Sequence, residues 1–218
     1  MKTMESSQNR LPLFPLPLVL LPFMPLPLHI FEERYRKMAA HCLEQNQPFG
    51  VVYAGSNQTR TIGCTARISR VIERYDDGRL DIMCVGEQRF RAEQPLQLDP
   101  WLAAEVAYFG DEDTHRIAEL APAAREVVKK LELYAAVVGG TVDRAALDAL
   151  EPQQLSFVTS ASGMFSLAQR QNLLELTSTL DRLQAVKDML MHAIARRRMT
   201  RAAQRVVGSD TDIEALLN

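Results

Sequence analysis

The sequence predicts an α+β protein, β-rich to about residue 110 and helical beyond it, and three observations carry that prediction. The stretch Leu11 to Leu28, LPLFPLPLVLLPFMPLPL, holds no charge and is broken by prolines at 12, 15, 17, 22, 25 and 27. Between Phe49 and Tyr108, short runs alternate apolar and polar residues with turn residues between them. No βαβ alternation interrupts those runs, so they predict an antiparallel barrel or sandwich. After the acidic stretch Gly110-Asp-Glu-Asp113 the apolar spacing becomes helical. The expected division is therefore a β subdomain with one helix over 1–110 and an α-helical subdomain over 111–218.

The uncharged run is long enough for a membrane span, which needs about 20 apolar residues. Its prolines exclude one, because each removes a donor and costs ~3 kcal/mol or more inside a helix. The run instead predicts short extended pieces with prolines at edges and turns, buried against a core. A helix over Glu32 to Gln45 follows, with Phe31, Tyr35, Met38, Ala39 and Cys42 on one face. Phe49 to Tyr53 is a buried strand, and Ile62 to Tyr75 is a longer one whose alternation slips between Ile68 and Val71, a bulge signal.

Asp76-Asp-Gly78 is a hairpin turn. Leu80, Ile82 and Cys84 then face inward, Gly86 interrupts the strand, and Phe90 and Ala92 alternate with Arg89, Arg91 and Glu93. A last strand carries Leu102, Ala104, Val106 and Tyr108 on one face.

In the helical half, Ile117, Leu120, Ala124, Val128, Leu131, Ala135 and Val138 form a stripe that ends at Gly139-Gly140. Pro122 either kinks that helix or starts a new one at its first turn. Shorter helices fall near 143–150 and 152–162. Ser166 and Gln169 have capping-box spacing ahead of Leu173 and Leu174. The final helix starts near Thr179 and presents Leu183, Val186, Leu190 and Ile194.

A hydrophobic content of 47%, a charged content of 24% and a net charge of −2 are those of an ordinary globular protein. They exclude a general attraction to nucleic acid or an anionic membrane. No secretory signal or membrane anchor is expected. Cys42, Cys64 and Cys84 are widely spaced, which fits buried thiols in the cytoplasm and no zinc site.

The sequence holds no P-loop, no dinucleotide fingerprint and no G-x-S-x-G elbow, so it points to no catalytic residue, metal or cofactor. His41 and Cys42 are neighbours on a helix and diverge by about 100°, which rules out a nucleophile pair. Asp111, Glu112 and Asp113 lack the loop pattern of a calcium site, because Pro122 stands where the twelfth-position Glu belongs, and predict a solvated acidic loop. Arg196, Arg197, Arg198, Arg201 and Arg205 crowd the last helix. They complement its dipole or form an anion or nucleic-acid surface, with no aromatic residues interleaved for base stacking.

Six blocks in order carry a family resemblance: LPLFPLP from Leu11, LLPFMPLPLHIFEERYR from Leu20, IGCTARI from Ile62, GEQRFR from Gly86, AQRQNLLE from Ala168 and LDRL from Leu180. With them the chain resembles the Lon amino-terminal (substrate-binding) domain family. The resemblance implies a PUA-like antiparallel β-barrel followed by a helical bundle with a long C-terminal helix. It implies a non-enzymatic module that holds unfolded or degron-bearing polypeptide, alone or with a protease or chaperone, since 218 residues cannot also contain the motor and peptidase. RNA binding through the arginines is the alternative. The expected peptide-binding residues are Phe23, Met24, Leu26 and Leu28 on the proline-rich edge, with Met164 and Phe165 before a late helix.

Overall fold

Alternating patterns and turn chemistry give six strands: β1 (Arg10–Leu16), β2 (Pro25–Ile30), β3 (Phe49–Ala54), β4 (Thr59–Arg74), β5 (Leu80–Gln97) and β6 (Leu102–Phe109). Helix α1 (Glu33–Glu44) lies between β2 and β3. The computed structural model describes residues 10–55, 59–97, 100–113 and 115–207, with side chains except at 94–97, 117 and 205–207. The chain forms two units: residues up to Glu112 with Phe157–Thr177, and Asp113–Ser156 with the chain from Ser178.

The first unit is built on a strand order of β2-β5-β4-β3-β1-β6, with β6 pairing again to β5. That last ladder closes β5, β4, β3, β1 and β6 into a barrel, and β2 is attached beside the first half of β5. One pairing departs from the antiparallel expectation: β1 runs parallel to β3 over Leu13–Leu16. The connection between them contains β2 and α1, long enough for the crossover a parallel pair needs.

The prolines sit where a missing N–H does little harm. β1 pairs with β6 over 10–12 and with β3 over 13–16, so Pro12 and Pro15 each have a flank that needs no donor. Pro25 and Pro27 lie on β2, whose one ladder is with β5. Between these strands Val19, Leu20 and Leu21 are buried. They pack with Ile30, Met38, Phe49 and Ile82 into the core, so the uncharged run lines the inside of the unit. Cys42, Cys64 and Cys84 are free buried thiols, and burial pushes Cys42 and Cys84 up to about 12.

β4 carries a register shift between Ile68 and Arg70, at the predicted slip. Gly78 takes φ +84° and closes the hairpin through its N–H to the Tyr75 carbonyl, 2.9 Å away. Gly86 does not interrupt the strand, because β5 runs unbroken through it. A Cβ at residue 86 would stand 2.2 Å from the Leu21 carbonyl oxygen, so the glycine marks a close approach of two backbones. Two expected inward residues of the first unit face solvent instead. Phe31 precedes the first turn of α1 and is outside its periodicity, and Tyr108 lies near the free end of β6.

Residues 157–177, which composition alone groups with the helices, pack with the barrel. Phe157 and Leu174 join the core cluster that β2 and α1 share with the sheet. Helix α5 (Leu167–Glu175) opens with the predicted capping box: Gln169 N–H donates to Ser166 Oγ, and the Ser166 N–H donates to the Gln169 side chain.

The second unit contains α2 (Ile117–Val138), α3 (Arg144–Asp148), the first half of α4 (Pro152–Ser160) and α6 (Thr179–Val207). α2 runs through Pro122 without a break and stops at Gly139, which is left-handed at φ +81°. It packs on α6 through Leu120, Ala124, Val128, Leu131 and Ala135 against Leu183, Val186, Leu190 and Ile194, all buried. Of the two ends of the predicted stripe, Val138 is exposed beside the Gly139 stop, where α2 ends, and the Ile117 side chain lies outside the described residues.

The acidic loop is only partly solvated: Glu112 is exposed and Asp113 is not. Asp113 is buried and takes the Thr179 and Leu180 N–H groups and the Ser178 hydroxyl at 2.8–2.9 Å, satisfying the open end of α6. Burial raises its pKa, and these hydrogen bonds outweigh that and hold it below the ordinary 3.8.

Two outcomes are expected. Gly86→Ala destabilises the protein by about 1–3 kcal/mol in denaturant titration, because the new methyl meets a backbone carbonyl that cannot yield. The stability contributed by Asp113 is complete above pH 3.8 and drains away as pH falls through its lowered folded value. Asp113→Asn therefore flattens the acid limb of a stability-against-pH curve, which an unfolding series across that range measures.

Candidate functional site

The site begins at a turn in the uncharged run. Leu21 to Met24 forms a tight turn closed by the Met24 N–H on the Leu21 carbonyl, 3.2 Å away. Pro22 takes the second position, which its fixed φ suits, and Phe23 takes the third at φ +66°. Glycine or asparagine is normal there. A bulky aromatic residue at positive φ is strained by roughly 1–3 kcal/mol. The strain is held in place by β5: Phe23 N–H donates to the Gly86 carbonyl at 2.8 Å, and Gly86 N–H donates to the Met24 carbonyl at 2.9 Å. The surrounding structure thus presents the Phe23 ring to solvent, 41% exposed, with only its inner side against Phe157 at 6.4 Å between centroids.

The expected binding residues separate by burial. Met24, Leu28 and Met164 are half-buried, whereas Phe23 is exposed. Leu26 is 4% exposed and Phe165 5%, so neither offers surface. In β2 the alternation turns Leu26 and Ile30 inward with the core. Phe165 is drawn in just ahead of the capping serine of α5.

Phe157 stands on a buried cation that sequence reasoning missed. Arg89 alternates with Phe90 in β5, which suggests a solvent-facing side chain, yet its side chain is 3% exposed. Its guanidinium donates to the Asp111 carboxylate and to the carbonyls of Leu174 and Leu176, and it lies over the rings of Phe109 and Phe157 at 4.6 and 5.3 Å. Burial lowers the Arg89 pKa and the Asp111 charge opposes that. The Asp111 side chain is itself fully buried, a second departure from the expected solvated loop. No local pattern announces this pair, because the partners lie 22 and 85 residues from Arg89.

At the other end of β2, His29 Nδ1 lies 2.5 Å from Asp81, which also accepts from the Tyr75 hydroxyl at 2.8 Å. The hydrogen bond to Asp81 pushes the Tyr75 phenol up to about 12, and the same contacts, His29 first, lower the Asp81 pKa. His41 packs near Trp101 at 5.2 Å. Arg196, Arg197, Arg198 and Arg201 are exposed on α6, where consecutive residues fan around the axis. The Arg205 side chain lies outside the described residues. Among the described residues no group of three or more His, Cys, Asp or Glu could hold a metal ion, and no helix is long and apolar enough to cross a membrane.

The family model of the ATP-dependent protease La (LON) substrate-binding domain matches residues 10–192. The chain belongs to that family. This Lon substrate-binding domain is similar to Lon protease 2 of Syntrophobacter fumaroxidans, 25% identical over 193 residues. The match covers 84% of this chain and 24% of that protein, so the chain spans about a quarter of its curated relative. Two solved structures share the fold. The Lon N-terminal domain protein from Xanthomonas campestris has a TM-score of 0.57 at 23% identity, covering 80% of this chain and 95% of that one. The N-terminal domain of Mycobacterium avium complex Lon protease has a TM-score of 0.65 at 17% identity, covering 84% and 98%.

Asp111→Asn leaves the Arg89 charge buried without its counter-ion. A loss on the order of 3 kcal/mol in denaturant titration is expected, large against the effect of an exposed pair such as Lys129–Glu126.

Proposed function

We propose that this Lon substrate-binding domain holds unfolded or degron-bearing polypeptide by binding alone, without chemistry of its own, and hands it to a protease or chaperone. Family membership supports a substrate-binding role. The observation that carries the finer reading is Phe23, an exposed aromatic ring kept in a strained backbone conformation by its hydrogen bonds to Gly86. Strain of that kind persists where the structure over-determines it, and an exposed ring gains contact area when an apolar side chain covers it. Met24, Leu28 and Met164 supply flexible and branched apolar surface suited to varied partners. Buried, unreactive thiols fit work in a reducing cytoplasm.

Fluorescence anisotropy with a labelled, permanently unfolded protein fragment tests this. Asn tolerates positive φ and lacks the ring, so Phe23→Asn is expected to leave thermal stability equal to or above the parent. The same change weakens binding about ten-fold, the equivalent of ~1.4 kcal/mol. Undiminished binding by this variant overturns the assignment.

A further inference from the structure

The side of α1 that faces the β4–β5 hairpin forms a cleft of about 510 Å³ lined by Glu33, Arg36, Lys37, Ala40, Arg74, Tyr75, Gly78 and Leu80. Three cations against one carboxylate give this lining an excess of two positive charges in a chain whose net charge is −2. Each cation is placed differently. Arg36 reaches from α1 to the hairpin and donates its Nη1 to the Asp77 carbonyl at 2.5 Å. A Cβ at Gly78 would stand 2.7 Å from that nitrogen, so the glycine makes room for the arginine as well as for the turn.

The Nε of Arg36 is buried and has no hydrogen-bond partner. Lys37 pairs with Glu33 at 2.8 Å. Hydrogen bonding and charge from Lys37, with the smallest contribution from Arg36, hold the Glu33 carboxyl below its ordinary range. Arg74 is exposed and pairs with no acid among the described residues. A buried charged donor without an acceptor and a free guanidinium on the opposite wall together call for an anion.

We infer that this cleft takes the carboxylates of an acidic stretch in a bound polypeptide, an inference that rests on the proposed function. The chemistry favours a peptide over a nucleic acid. Glu33 sits among the cations and opposes a dense polyanion, and an excess of two charges is small beside the run of phosphate contacts nucleic-acid binding requires. The walls are part apolar, from Ala40, Leu80 and the Tyr75 ring. Exposed Phe31 follows Ile30, the ladder partner of Leu80, and exposed Ile72 lies two residues before Arg74. Acidic side chains flanked by apolar ones match that surface. The domain then selects clients by charge beside its apolar contacts.

The test uses the full chain, a labelled apolar decapeptide and the same peptide extended by three acidic residues. In low salt the extension is expected to tighten binding about five-fold, and the gain fades when the Debye length falls to ~3 Å at 1 M salt. A variant carrying Arg74→Gln and Lys37→Gln removes the gain and leaves apolar-peptide affinity unchanged. Both side chains are exposed, so its melting temperature is expected to match the parent. Arg36 is left intact because it secures the turn.

A gain that is absent in the parent or survives in the variant overturns the inference. So does competition by inorganic phosphate, or by an RNA oligonucleotide of equal charge, as effective as that of the acidic peptide. If the apolar peptide binds and the extension adds nothing, the cleft alone is refuted. If neither peptide binds, the peptide-holding function falls with it.

Discussion

The barrel depends on one strand serving three partners, and on the residue that lets it. β5 pairs with β2 and β4 along its first half and with β4 and β6 along its second. The change of partner falls around Gly86, where the Leu21 carbonyl approaches too closely for any side chain. Closing the ladder leaves β2 as the edge strand, and its Pro25 and Pro27 blunt that edge against aggregation. Three residues later the same strand carries Arg89, whose guanidinium joins Asp111 and the end of α5 to the barrel. Pairing, turn and buried charge are thus set within four positions of one strand.

An uncharged run with six prolines would be hazardous in water as a free segment. It is harmless here because each proline in a strand has a flank free of ladder bonds, and because the leucines between the strands are inside. The same arrangement exposes what a binding domain needs. Pro22 and Gly86 force the turn that lifts Phe23 out of the core, so the element that buries most of the run also displays one ring of it.

Two kinds of surface follow on the first unit. At the Phe23 turn the chemistry is aromatic and aliphatic, without charge. At the α1–hairpin cleft it is cationic with apolar walls. Apolar contact gives affinity for many unfolded sequences, and charge adds discrimination and a faster encounter. Under the proposed function, a module that combines them binds broadly yet ranks its clients.

Strand and helix positions, the Ile68 slip, the Asp76–Gly78 turn and the Ser166–Gln169 box were legible in the sequence, since each depends on periodicity or on residues within four places of one another. Phe23 and Met24 were legible as apolar; that one ring faces water while Leu26 does not was decided by strand pairing, and Phe165 is buried by the packing just ahead of α5. Arg89, Asp111 and Asp113 misled for the same reason, being charged residues whose partners are distant in the chain or across a helix end. The cleft likewise unites α1 with a hairpin some forty residues on. The sequence by itself determined what could pair locally and how greasy each segment is. Only the tertiary structure decided which charges lose water, because desolvation depends on every element packed around a group and not on its neighbours in the chain.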